Sequence, residues 1–184
     1  MPNIRWLPAV ALVAPALSGL PAHAAQYATA QEAVKRSFPD STGFKDTSVS
    51  LTADELRALG AAAGVPGRSV QWRVLLVSAG DKPLGVVVID AVVGKFELID
   101  YAVAMGTDGK VRNVEILTYR ESHGYEVRLA PWRKQFVGKD KSAKLRLSDD
   151  IANISGATLS CEHVTDGVRR IVALVALLHA SGKV

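Results

Sequence analysis

Residues 84–119 read LGVVVIDAVVGKFELIDYAVAMGTDGKVRNVEILTY. The first ten, Leu84–Val93, form a nearly unbroken apolar run, the pattern of a strand buried on both faces. Gly94-Lys95 interrupts it, and FELIDYAVAM at 96–105 resumes as a second run. GTDGK at 106–110 has hairpin-turn chemistry and leads into a third run, VRNVEILTY at 111–119. Just upstream, SVQWRVLLV at 69–77 alternates and then turns apolar, and SAGDKP joins it to Leu84. Four runs of strand length linked by short turns predict an antiparallel meander.

On the N-terminal side the pattern becomes helical. Thr29 and Glu32, and again Thr52 and Glu55, stand in capping-box spacing ahead of TAQEAVKRSF and TADELRALGAAAG. FPDSTGFKD between them reads as turn chemistry, and Gly64-Val65-Pro66-Gly67 closes the second helix. The expected divisions are therefore a leader at 1–24, an N-terminal helical segment at 25–67 and a main domain at 68–184. On the C-terminal side, residues 120–144 are polar, aromatic and basic, punctuated by Gly124 and Pro131. A connection of this length in a compact domain is usually functional or disordered, and Tyr125, Trp132 and Phe136 argue against disorder. KLRL at 144–147 reads as a short strand. Val164, Val168, Ile171, Val172, Val175 and Leu178 then lie on one helical stripe, with Arg169 and Arg170 on the other side. The fold class expected is α+β, an antiparallel meander with helices packed on it.

Composition narrows the function. The chain has 184 residues, 48% hydrophobic and 22% charged, which suits one globular domain with a core of its own. The net charge is +4 with the basic residues scattered, which argues against a nucleic-acid surface. MPNIRW, the proline-broken apolar LPAVALVAPALSGL and the small-residue AHA at 22–24 form a signal-peptide pattern. Cleavage after Ala24 and a periplasmic location are expected. Loss of Arg5 would lower the net charge from +4 to +3. The apolar run IVALVALLHA at 171–180 is too short to span a bilayer. Cys161 is the single cysteine, so there is no internal disulfide, and without a CxxCH there is no haem attachment of the c type.

The chemistry is concentrated before the last helix, in NISGATLS at 153–160. A helix N-terminus leaves backbone N–H groups unpaired and is mildly positive. Gly156 and Ala157 let a ligand approach the backbone, and Ser155, Thr158 and Ser160 add hydroxyls. Two readings stay open from the residues alone: an ordinary Ser/Thr helix cap and a phosphate site.

SGAT at 155–158, taken with RESHGYE at 120–126, resembles the FMN-binding domain family and its S(T)GAT flavinylation motif. That family includes subunits of sodium-pumping NADH:quinone reductase and of Rnf electron-transport complexes. The likeness runs from about Val70 to Leu178 and is nearest to short exported single-domain members. It implies FMN joined through its phosphate to Thr158, with Ser155, Gly156, Ala157, Leu159 and Ser160 around the phosphate. It implies ring contacts from Glu121, Ser122, His123, Gly124 and Tyr125, and Trp132 reads equally as a second aromatic wall or as ordinary packing under the long loop. Where the family commonly carries an aspartate three residues before the motif's serine, this chain has Ala152, with Asp149 and Asp150 further upstream. The implied role is an electron carrier outside the cytoplasm, with the possibility of peripheral membrane association. The implied partners are a FAD:protein FMN transferase and a membrane reductase or cytochrome.

Two other readings use the same residues. One is a module holding FMN or another phosphate ligand without a covalent bond. The other is a small exported hydrolase built on Ser155 or Thr158 with His123 as base, although no GxSxG elbow supports it. No metal-ligand spacing involves His163 or His179, and Cys161 reads as a small helix residue.

Overall fold

A computed structural model describes residues 25–184. The expected leader lies outside the described residues. Six strands, at Ala25–Gln26 (β1), Gly43–Ser50 (β2), Gln71–Ala79 (β3), Lys82–Val93 (β4), Leu98–Gly106 (β5) and Val111–Tyr119 (β6), form one antiparallel sheet in the order β1-β6-β5-β4-β3-β2. The central four, β3 to β6, are the meander expected from residues 69–119. In β4 the apolar run is buried on both sides. Val86 and Val88 join one core cluster and Val87 the other.

The edges differ from expectation. Residues 43–50, read in part as turn, form strand β2 (Gly43–Ser50), paired along its whole length with β3. The turn chemistry is complete by Thr42, whose amide bonds to Ser78. An edge strand with only Val49 fully buried carries too weak an apolar signal to be seen in sequence. Since β2 lies beside β3, the sheet draws strands from both sides of residue 67. At the opposite edge the two-residue β1 (Ala25–Gln26) pairs with the end of β6.

The helices cover both faces. Helix α1 (Ala30–Ser37) lies on one, packing Val34 and Phe38 against Leu75, Val87, Ala102 and Leu117. Helices α2 (Ala53–Ala63) and α4 (Thr158–Ala180) lie on the other. Both predicted capping boxes form: Thr29 and Thr52 accept from the amides of Glu32 and Glu55, each at 3.2 Å, and the glutamates accept in return. In α4, Val164, Val168, Ile171, Val175 and Leu178 are fully buried. Each such side chain contributes about 1.5–3 kcal/mol.

Arg170 corrects the helical stripe. It is not on the solvent side but buried, donating from Nε to the Pro66 carbonyl at 2.8 Å and pairing with Asp90 at 3.6 Å. Asp90 also accepts from the Tyr101 hydroxyl at 2.7 Å. Gly167 makes room for that phenol, since a Cβ there would sit 2.0 Å from the Tyr101 oxygen. Period alone cannot tell a buried, paired arginine from a solvated one.

The long connection is ordered into short pieces: a 3-10 turn at Tyr125–Arg128, helix α3 (Ala130–Arg133) and a second 3-10 turn at Lys134–Phe136. It closes the outer edge of β6. Val111 exchanges backbone bonds with Gly138 and Lys139, each at 2.8 Å. Arg133 donates to the Val114 carbonyl and pairs with Glu115 at 3.2 Å. Arg36 of α1 pairs with the same carboxylate at 3.2 Å. KLRL is not a strand, and only an isolated Leu147–Ile151 bridge survives. The Asp150 carboxylate accepts from the amides of Leu145 and Arg146 and from Lys139, folding the segment into a turn.

Candidate functional site

The two motifs singled out in the sequence meet. Residues 121–124 pack on the start of α4 through Gly124, which has φ 74° and sits so close to Ala157 that a Cβ would lie 2.7 Å from the alanine Cβ. Tyr119 fastens the loop from beneath, donating its hydroxyl to the His123 carbonyl. Burial pushes the Tyr119 phenol up, partly offset by the Ser160 side chain. Between the motifs is a cavity of about 520 Å³ lined by Glu121, Ser122, His123, Gly156, Ala157, Thr158, Leu159 and Ser160. That volume is in the range of small-molecule sites.

The start of α4 is not an ordinary cap. Thr158 is the first helical residue, and the cap position is Ala157, which has no side-chain oxygen to offer the first amides. The first turn carries no acidic residue. Ile154 to Ala157 close a turn through a 3.0 Å backbone bond, with Gly156 at φ 82°, a left-handed conformation that favours glycine. A Cβ on Gly156 would meet nothing within 4 Å, so the backbone here faces open space. Cys161 makes the first helical bond, to the Ala157 carbonyl at 2.9 Å. The amides of Thr158, Leu159 and Ser160 precede it at the positive end of a 23-residue helix. Thr158 is exposed, and its Oγ1 accepts from Asn153 Nδ2 at 3.0 Å. An exposed hydroxyl beside uncapped amides is a donor set that suits a phosphate.

The other expected contacts divide. Ser122 and His123 line the cavity, and the Ser122 hydroxyl meets His123 Nδ1 at 2.8 Å. Glu121 lines it too, but its Oε1 accepts from the amides of Phe96 at 2.6 Å and Glu97 at 3.0 Å. Burial pushes the Glu121 carboxyl up, while the amides of Glu97, Phe96 and Lys95 and the Lys95 charge outweigh it and hold it below its ordinary value. Ser155 is in the turn and is not among the lining residues. Tyr125 is half exposed and stacks with Arg128, whose guanidinium also lies 4.6 Å from the Tyr27 ring. Trp132 is a core residue and forms no wall of the cavity. It is buried edge-on to Phe136, with Nε1 donating to the Ala152 carbonyl at 2.8 Å. Gln135 accepts from the Ala152 amide at 2.7 Å, so the backbone where the family aspartate would stand is held from both sides. No hydrogen bond joins Ser155 to His123 among the described residues, so a Ser155–His123 pair is not formed.

Sequence reasoning missed Lys95 and Phe96, which line the same cavity from the β4–β5 turn. In sequence Phe96 reads as the start of the run at 96–105, but β5 begins only at Leu98, which leaves Phe96 in the turn. His163 reaches that turn from α4, with Nδ1 at 2.6 Å from the Val93 carbonyl. Among the described residues there is no cluster of His, Cys, Asp or Glu that would hold a metal, and no helix is long and apolar enough to cross a membrane.

Residues 94–173 match the model of the FMN-binding domain, a span that contains the turn, the loop and the start of α4. No curated protein matches the chain. The chain carries an FMN-binding domain, and FMN is the cofactor that the family binds.

Proposed function

We propose that this FMN-binding-domain protein holds its flavin covalently, through the phosphate, on Thr158 and serves as an exported electron carrier. The observation that carries the reading is the start of α4: an exposed threonine hydroxyl, oriented by Asn153, stands at a helix N-terminus with no side-chain cap. The same hydroxyl lines a cavity with the loop 121–123.

In attachment, Thr158 Oγ bonds to the FMN phosphorus of FAD as the pyrophosphate P–O bond breaks. AMP leaves and the hydroxyl proton is released. A FAD:protein FMN transferase supplies FAD and magnesium. The amides of Thr158, Leu159 and Ser160 would hold the phosphate, the helix dipole favouring its negative charge. Gly156 leaves the approach clear. Bound FMN supplies reversible electron transfer, and the protein tunes it by burial and hydrogen bonding. Ser122 and His123, which line the cavity, would offer polar groups to the ring. The N-terminal signal pattern supports export and cleavage after Ala24. A membrane reductase or a cytochrome would exchange electrons with the carrier, at the membrane surface or in solution. A tether has a plain advantage outside the cytoplasm, where a lost flavin is not readily replaced.

The test is intact mass after co-expression with the transferase and denaturation. The wild-type chain should gain one FMN less one water, and Thr158→Ala should gain nothing. Yellow colour lost on denaturation would refute the covalent bond and leave a non-covalent FMN module.

A further inference from the structure

We propose that Phe96 forms an aromatic wall for the planar ring of the cofactor, and that Glu121 and His163 are positioning residues that hold it there. The proposal rests on the reading of Thr158 as the anchor.

Phe96 is the most exposed large apolar side chain among the described residues, at 74%. A phenyl ring on a loose turn would call for no explanation, but this turn is held firmly. The Gly94 amide donates to the Glu97 carbonyl at 2.8 Å. Glu121 Oε1 accepts from the amides of Phe96 and Glu97. His163 Nδ1 lies 2.6 Å from the Val93 carbonyl and 3.1 Å from that of Gly94. Both partners are acceptors, so this nitrogen carries the proton. Gly94 itself is buried, and a Cβ there would come within 2.6 Å of Glu121 Oε1 and 3.0 Å of Ile99 Cδ1.

These fastenings come from the two elements that build the site. Glu121 belongs to the loop that lines the cavity, and His163 lies just over one turn beyond Thr158 on α4. They fix the turn in a cavity that the anchoring hydroxyl also lines. Lys95 Nζ lies 4.9 Å from the centre of the Phe96 ring, so the ring is paired with a cation while most of its surface remains accessible. A firmly held, exposed aromatic lining one cavity with a phosphate-type site is the arrangement for a ligand with a phosphate at one end and a flat heteroaromatic system at the other. Offset stacking is the favoured contact for such a pair. An apolar partner protein would need no cation on the ring and no cavity shared with Thr158.

The test uses the full chain loaded with FMN, with loading checked by intact mass. Phe96→Trp should load fully and lose flavin fluorescence several-fold, because a stacked indole quenches the excited ring. Phe96→Ala should load fully and become several-fold more sensitive to quenching by iodide. Glu121→Ala should reproduce the iodide result, and Glu121→Gln, which keeps an acceptor oxygen at Oε1, should restore wild-type behaviour. His163→Ala should shift iodide access in the same direction as Glu121→Ala. Loaded Phe96 variants with unchanged fluorescence and iodide access would overturn the proposal alone. A wild-type chain that takes up no FMN would overturn the anchor reading and this proposal with it.

Discussion

Gly124 and Gly156 both occupy the left-handed region, at φ 74° and φ 82°, but their surroundings are opposite. Alanine at Gly124 would place a Cβ 2.7 Å from Ala157 Cβ and 3.1 Å from the Tyr119 oxygen, whereas at Gly156 it would meet nothing within 4 Å. The left-handed conformation costs a non-glycine residue about 1–2 kcal/mol. Stiffening the unfolded chain returns about 0.4–1 kcal/mol. Gly156→Ala should therefore destabilise by about 1 kcal/mol. Gly124→Ala carries the same backbone cost and adds about 1–3 kcal/mol for forcing a methyl between packed groups, for a total of about 2–4 kcal/mol. The assay is urea unfolding of both variants at neutral pH, read as a change in midpoint at constant slope. Equal losses in the two variants would refute the contact between residues 121–124 and α4, because the backbone term alone would then account for both.

Gly167→Ala replaces a mid-helix glycine, a change that ordinarily stabilises by about 1 kcal/mol. With Tyr101 Oη 2.0 Å from the new methyl, an overpacking cost of about 1–3 kcal/mol should cancel or exceed that gain, and thermal unfolding should show no stabilisation and a net loss of up to about 2 kcal/mol. Trp132→Phe should lower stability by about 1–3 kcal/mol, through the lost bond to the Ala152 carbonyl and the space left behind, yet leave the flavin absorption spectrum unmoved. Asp150 should make stability depend on acid: burial pushes its carboxyl up, but the Arg146 amide, Lys139 and the Leu145 amide outweigh it and hold it below its ordinary value. A depressed carboxyl contributes stability that is complete above the unfolded value and is lost as pH falls through the folded one. The urea midpoint should thus decline more steeply below about pH 4 in the wild type than in Asp150→Asn, and parallel curves would contradict the assignment.

The meander was legible because each turn has its own chemistry and each strand its own apolar run. The two capping boxes were legible for the same reason, since each is a local pattern of two side chains. What escaped depends on partners distant in sequence. Strand β2 exists because β3 offers it a ladder, and Phe44, Thr47 and Val49 alone do not announce it. KLRL looked like a strand until Asp150 captured its amides, which left Leu145 at φ 47° and Ser148 at φ 65°. At the site, the motif 155–160 and the loop 121–124 were visible as unusual local composition. Lys95 and Phe96 were not, because they reach the cavity only through a turn shaped by Glu121 and His163. For Trp132 the sequence left a cavity wall and packing under the loop both open, and its indole N–H finding a carbonyl in the interior decides for packing.

Glu115 lies buried between Arg36 and Arg133. One carboxylate thereby ties α1, at the start of the described chain, to the segment 125–139 that seals β6. Releasing one arginine leaves the buried carboxylate paired with the other, whereas releasing both would strand a buried charge, which is far costlier than losing a surface pair. The two segments should accordingly open as one cooperative unit in hydrogen exchange. The loop that borders the cavity at the start of α4 adjoins that unit through residues 121–125. Its rigidity is thus underwritten from the opposite face of the sheet, by a helix that touches no part of the site.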